Sequence, residues 1–554
     1  PTPDPRPLDV VVVGAGIAGM TCASFLARAG RRVLVLEHNH QAGGLMGGFR
    51  RKGYVFDAGD QSFEQMGIVF PLLEQLGMYD PAEWKRARYR IRMPAVDVVV
   101  EDLESVRDAF IAAHPDRREE FEDIFDLHLR TGEAVRRVVE SGTVPHVRDD
   151  SPGTYLAFAA ALAPHVAHIA KLVLDEFGPY YGRTMRPGDV ADLLARCGYT
   201  RMDMFVASAF WHLWAHDYWH PNGGLQALFD RWVERFRGWG GEVLFRRDAV
   251  RFLVESRRVR GVQTRDGERF DAPVVVYCGD LKRGLLEMLG PEWLPEAMVE
   301  RLRGAAMSDA LAAAYVGLRV GPETMRERLR AAHTFYFPSW EAGSPGRGRR
   351  VDFHSGQFVE VTCHSIDDAA MAPHGCSSVV VQAFSDHGWR NRWGTGGGPR
   401  GEAYRTLKAR VGDELVARLR ELVPEAGAEG AEEFRDVGTP LSTERFTLND
   451  GGSSCGFLLN YRLYPHRASF ASLSTPVEGL FTAGHQTIWP GSVPMAALSG
   501  KIVADRILAN RPRRTLWQGL AAAVLSGAGI PGRLLRAAAG RRGNGGGSGK
   551  EGGT

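Results

Sequence analysis

Apolar positions along the chain follow two patterns. Short, mostly apolar runs at Asp9–Val13, Arg32–Leu36 and Leu480–Ala483 are flanked by glycine or polar residues. Runs of this length without alternation predict strands buried on both faces, as in a parallel sheet. The second pattern is helical in composition: Ile17–Ala29 follows the first run and Val493–Leu508 the last. Strand, helix and strand in succession from Asp9 to Leu36 predict an α/β fold.

The turn between the first strand and helix carries Gly14, Gly16 and Gly19 in G-x-G-x-x-G spacing. Gly14 permits a tight turn, Gly16 lets backbone approach a pyrophosphate, and Gly19 allows the helix to pack close on the strand. Ile17 and Ala18 open that helix, whose free N–H groups and positive dipole end suit phosphate. The second strand ends at Glu37-His38, where an acid can accept both hydroxyl hydrogens of an adenosine ribose. A lone glycine fingerprint is weak, but strand, helix and terminal acid in this order make it a dinucleotide site.

Composition bounds the rest. At 554 residues the chain is long enough for two domains, and 44% hydrophobic with 24% charged residues is ordinary for a globular protein. A formal charge of +2 gives no footprint for nucleic acid. Cys22, Cys197, Cys278, Cys363, Cys376 and Cys455 form no C-x-x-C. With an opening PTPDPRPLDV that lacks signal features, they point to a reducing, cytoplasmic setting. The apolar stretch from Tyr155 to Leu174 is interrupted by Pro164, His165, His168 and Lys171, so it predicts a buried or surface-lying helix.

His212, His216 and His220 recur every fourth residue, which raises a metal site. Pro221 argues against it, because the residue before proline is pushed to extended geometry and His220 leaves the helix. Two histidines need a third ligand, and Asp217 would point away from both, so no metal is expected. Trp211, Trp214, Tyr218 and Trp219 are read as a flat wall at the lip of a substrate cavity, with core packing the plainer alternative.

After Glu37 come Gly43-Gly44 and Asp57-Ala-Gly59. In this order the chain resembles the flavoprotein superfamily of amine oxidases and carotenoid desaturases, and within it phytoene desaturases, carotenoid isomerases and retinol saturases. Gln41 and Leu45 stand where amine oxidases usually carry arginines, which tilts the resemblance to the carotenoid branch. The resemblance implies FAD, with contacts at Gly43, Gly44, Leu45 and Gly59, and at Val250 beside the adenine. It also reads the turn after Pro221 as the return to the flavin domain, followed by a helix at Leu225–Gly238, a strand at Glu242–Phe245 and a buried strand at Pro273–Cys278. Near the other end, Gly484, His485, Ser492 and Val493, with Pro490, resemble the segment that closes over the flavin. There a helix opening at Val493 would offer unpaired N–H groups to charge developing on the ring.

The implied architecture is a Rossmann-like FAD-binding domain (GR2-type) interleaved with an α+β substrate domain. Flavin segments at 1–90, 216–310 and 475–512 would alternate with substrate segments at 91–215 and 311–474. Residues 513–554 would be a partly disordered tail, whose apolar and arginine-rich stretch at 514–542 suits a peripheral membrane contact. No second nucleotide fingerprint follows a strand, so electrons should leave to oxygen, a quinone or a partner protein.

The expected activity is FAD-dependent dehydrogenation of a hydrophobic polyene, isoprenoid or polyketide-like substrate, by hydride transfer to flavin N5. Asp60 is the candidate base, against a loop aspartate or helix cap. A redox-neutral isomerase and an oxidase of amines or natural-product intermediates are the enzymatic alternatives. Flavin-free prenyl-protein escort proteins share the scaffold, but the intact Gly14, Gly16, Gly19 and Glu37 set argues against that role.

Overall fold

The first valine run forms the strand Val10–Val13, buried along its whole length. It pairs in parallel with Val33–Glu37 on one side and Val274–Tyr277 on the other. Glu242–Phe245 and Leu480–Thr482 extend the two edges, giving five parallel strands. Each strand agrees with its expected position to within one residue at either end. Asp9 and Arg32 fall just outside the ladder because they bond each other, Arg32 N–H donating to Asp9 Oδ2 at 2.8 Å. The computed structural model describes residues 7–340, 358–463, 473–488 and 491–509. Pro490 and the tail at 513–554 lie outside them.

Parallel pairing places the carboxyl ends of five strands along one edge, although the chain supplies them from three widely separated stretches. What holds the last stretch in place is a helix pair. Ile17–Arg28 and Val493–Ala509 pack on the same face of the sheet through small residues, Ala18, Cys22, Ala497 and Gly500 among them. A Cβ on Gly500 would sit 2.2 Å from the Ala18 carbonyl oxygen, and one on Gly19 would sit 2.0 Å from that of Gly14. Neither approach tolerates a side chain.

The second body is a seven-stranded sheet ordered Glu432–Gly438, Ala310–Leu318, Ser377–Ser385, Val359–Thr362, His333–Tyr336, Tyr89–Met93 and Val96–Val100. All pairings are antiparallel except His333–Tyr336 with Tyr89–Met93. The pleat divides its side chains. Val359, Val361, Val379 and Val381 pack under the helix Glu402–Leu422 with Val411, Leu415 and Leu419. The alternate positions, Glu360 and Thr362, face the other way.

The stretch containing the apolar run from Tyr155 breaks at Pro164 into helices Pro152–Leu162 and Val166–Leu172. Only Phe158 of the first helix is buried, so it lies on the surface.

Replacing Gly500 by leucine should prise the two helices apart. Overpacking of this kind costs about 1–3 kcal/mol, read as a lower urea midpoint with an unchanged slope.

Candidate active site

A cleft opens at the carboxyl edge of the parallel sheet, where ligands bind in folds of this class. One wall is the fingerprint turn. Gly14, Gly16, Ile17 and Ala18 line it, and Gly16 bridges by backbone to Gly43, which brings the Gly43-Gly44-Leu45 segment alongside. Gly19 does not reach the cleft and acts from beneath, at the helix–strand contact. Gly59 is likewise outside it: a Cβ there would lie 2.1 Å from the Leu45 carbonyl oxygen, and the neighbouring Asp60 N–H donates to that oxygen at 3.0 Å.

Glu37 and His38 line the far end. Glu37 has a second role that the motif does not advertise. Its Oε2 accepts the Ala15 N–H and its Oε1 the Asn39 N–H, both at 2.8 Å, so the carboxylate also braces the glycine turn. Ala249, rather than its neighbour Val250, faces the cleft from the strand Ala249–Glu255.

The third wall is Gly484, His485, Ser492 and Val493. The helix end at Val493 offers fewer donors than the sequence reading supposes. Pro494 has no N–H, and the Met495 N–H donates to Ser492 Oγ at 3.2 Å. Of the first three helical amides, only that of Val493 can face a ligand. Burial holds the His485 imidazole below its ordinary pKa, with nearby Asp280 opposing the shift.

Asp280 itself escaped the sequence reading. It is buried, and its Oδ2 accepts from Gln486 Nε2 at 2.9 Å, while Gln486 Oε1 accepts the Leu281 N–H at 2.6 Å. This pair ties the middle chain segment to the last one at the cleft floor. The only hint in sequence is an acid shortly after a buried strand.

Asp57, the acid of the Asp-Ala-Gly turn, points away from the cleft. Its Oδ1 accepts the Leu225 N–H at 2.7 Å, which caps the helix Leu225–Gly238, and its Oδ2 bonds His220 Nε2 at 2.8 Å. The helix Met204–His216 ends before His220, which lies in the strand Tyr218–Pro221. His220 stacks on His364 with ring centroids 3.6 Å apart and planes 10° apart. Asp57, His220 and His364 offer ligand atoms within 4.8 Å of one another. However, near-parallel rings do not aim their lone pairs at one point, and His364 Nε2 already bonds the Gln61 carbonyl at 2.6 Å. The trio pins the turn in place. Of the aromatic quartet, Tyr218 lines the cleft together with Phe210 and Tyr199. Trp211 packs against Phe125 and His128, and Trp219 donates to Asp217 and packs on Phe70.

Asp60 lines the cleft and is half-buried there. Burial, with the nearby Glu360 and Asp57 carboxyls adding to it, pushes its pKa up to about 7. Glu64, on the same wall, is pushed to about 8, chiefly by burial, with Asp60 and Asp217 adding to it against opposing hydrogen bonds.

The family model for flavin containing amine oxidoreductases matches residues 17–508. The chain belongs to that family. It is an FAD-dependent oxidoreductase. It is 22% identical over 543 residues to an all-trans-retinol 13,14-reductase of Danio rerio, covering 92% of this chain and 87% of that one. To a hydroxyneurosporene desaturase of Rubrivivax gelatinosus it is 24% identical over 553 residues, covering 92% and 96%. Among solved structures, cyclohexylamine oxidase from Brevibacterium oxydans IH-35A shares the fold, with a TM-score of 0.58 at 14% identity over 92% of this chain and all of that one.

The cleft fits FAD on its own terms. Bare glycine backbone stands where phosphates need close approach, an acid stands where a ribose needs an acceptor, and both sit at a parallel sheet's carboxyl edge. Gln41 is occupied sideways, Nε2 donating to the Gly48 carbonyl and to Gln226, so it braces the loop and leaves the cleft to Leu45. Glu37→Ala should weaken FAD binding at least about tenfold, since a hydrogen bond to a charged group is worth roughly 1.5–3 kcal/mol. Recovery of flavin fluorescence on dilution measures this.

Proposed function

We propose that the enzyme dehydrogenates a long apolar polyene or isoprenoid, forming a new carbon–carbon double bond. The observation that carries this reading is the character of the cleft beyond the cofactor walls. Phe63, Tyr199, Phe210 and Tyr218 give an apolar, aromatic surface, with Asp60 on it as a proton acceptor. The names of the relatives, a retinol reductase and a carotenoid desaturase, point to the same class of substrate.

Bound FAD supplies a hydride acceptor at N5. The protein's part is to hold the chain of the substrate flat, exclude water and receive the proton from the neighbouring carbon. Asp60 receives it in this reading. As a base it must be ionised, and burial keeps it neutral below about pH 7. Electrons leave to oxygen, a quinone or a partner protein.

An apolar substrate has to be collected from lipid, and the surface helix Pro152–Leu162 suits that task. The most apolar 18-residue window of the stretch 152–172 is only 22% buried, and Leu156 is 72% exposed. We assign this face to a membrane surface. The sequence reading placed the membrane contact in the tail at 514–542, outside the described residues.

Anaerobic mixing with candidate polyenes tests the reading. Bleaching of the yellow absorption, with a product two hydrogens lighter, is expected. A product of unchanged mass would mark an isomerase, and bleaching by amines alone would mark an amine oxidase. Asp60→Asn should keep FAD and lower turnover about 10²-fold, the usual worth of a general base. Wild-type turnover should rise with pH through about 7, and that rise should vanish in the variant. Leu156→Glu should reduce co-flotation with phosphatidylcholine vesicles while leaving turnover on detergent-dispersed substrate unchanged.

A further inference from the structure

Behind the cleft wall that carries Asp60 lies a run of hydrogen bonds which the reaction as described does not use. Ser62 lines the cleft. Its Oγ is 3.0 Å from His333 Nε2, and His333 Nδ1 is 2.6 Å from Glu360 Oε1. Glu360 Oε2 accepts from Gln382 Nε2 at 2.7 Å. Tyr89 OH stands 3.2 Å from Ser62 Oγ, and its ring stacks on His333 with centroids 4.4 Å apart. Ser62, His333, Tyr89 and Gln382 are all buried.

The seven-stranded sheet places these groups by register. Tyr89 pairs with His333, His333 with Thr362, and Glu360 with Gln382. The pleat therefore turns them toward the same side, away from the valines under Glu402–Leu422.

With Glu360 ionised and His333 neutral, the donors and acceptors in the run take one direction. Glu360 as a carboxylate has no proton to give, so His333 Nδ1 must be the donor to it. A neutral imidazole with its proton on Nδ1 presents Nε2 as an acceptor. Ser62 then donates to His333 and receives from Tyr89. The other titratable groups facing the imidazole are Tyr89 and His364, whose rings lie 4.4 and 5.1 Å away. Burial holds both uncharged, with the Tyr89 phenol well above its ordinary pKa and the His364 imidazole well below. Serine beside histidine beside carboxylate is the arrangement that moves a proton off a hydroxyl in acyl-transfer enzymes.

We infer that Ser62, His333 and Glu360 form a proton relay that discharges Asp60 after each turnover. The inference rests on the dehydrogenase reading above. When the substrate loses a hydride to bound FAD and a proton to Asp60, the C–H electron pair left by the proton becomes the new double bond. Asp60 must then lose that proton while cofactor and substrate fill the cleft. Ser62 is two residues along the same wall. It takes the proton from the Asp60 carboxyl, directly or through one water, as its own proton passes to His333 Nε2. Asp60 returns to carboxylate and His333 becomes an imidazolium held by Glu360, whose side chain is 17% exposed; the proton then leaves to solvent through Glu360, and the imidazole is neutral again before the next turnover. His333 and Glu360 are positioning residues here, acting through Ser62.

The first test needs no substrate. FAD-loaded protein labelled with 15N in its histidine rings gives the state of His333 directly. Expected are a protonated Nδ1, a bare Nε2, an Nε2 shift altered by Ser62→Ala, and loss of the fixed tautomer in Glu360→Gln. A His333 with Nε2 protonated and Nδ1 bare overturns the relay, because Ser62 could then pass it nothing. The second test compares one turnover with many, using a polyene that bleaches the wild-type flavin. Ser62→Ala and His333→Gln should bleach at the wild-type rate once but cycle at least about tenfold slower, with Glu360→Asp nearer to wild type than Glu360→Gln. Unchanged cycling in Ser62→Ala overturns the proposal, and that variant alone decides if His333→Gln does not fold. Should no polyene bleach the wild type, the dehydrogenase reading fails, and the ring-labelling result decides the relay by itself.

Discussion

The cleft exists because backbone meets backbone at two places with no side chain between. Gly500 lies against the Ala18 carbonyl and Gly19 against that of Gly14. The first contact brings the last chain segment to the face of the first, and the second lets the fingerprint helix start where the first strand stops. Without them the three stretches that line the cleft would have no common edge. A larger residue at either place must push a backbone aside, and packed interiors have little slack to absorb that.

Much of this was legible in the amino-acid sequence because it is local. Valine runs, glycine spacing and the acid at Glu37 are decided within a few residues of one another, and the strands fell within a residue of their expected ends. What was not legible is what the fold brings together from afar. Glu37 bracing Ala15, Gln486 answering Asp280, and Asp57 capping Leu225 each join positions with no pattern between them. Pro494 is a different kind of miss. Its lack of an N–H is visible in sequence, but an expectation built on the free N–H groups of a generic helix end leaves it out. The histidine spacing was legible for the same local reason: Pro221 takes His220 off the helix, and the structure has it in the strand Tyr218–Pro221.

The cleft wall is more polar than a bare hydrocarbon requires. Asp60 and Glu64 are held neutral over part of the physiological range, and Ser62 opens onto the hydrogen-bonded run through His333. In the proposed dehydrogenation protons still move, and a cleft filled by cofactor and substrate gives them little access to solvent. Carboxyls with raised pKa values and a directed run of hydrogen bonds answer that constraint. The aromatic surface of Tyr199, Phe210 and Tyr218 meets the other need, which is to hold a flat substrate without anchoring any one atom.

Amide hydrogen exchange with and without FAD tests the central claim most directly, since it reports every chain segment at once. Simultaneous protection of 14–18, 43–45, 484–488 and 491–493 is predicted when FAD is added, at the same FAD concentration. Protection confined to the first segment, with the Val493 helix end exchanging as before, would contradict it.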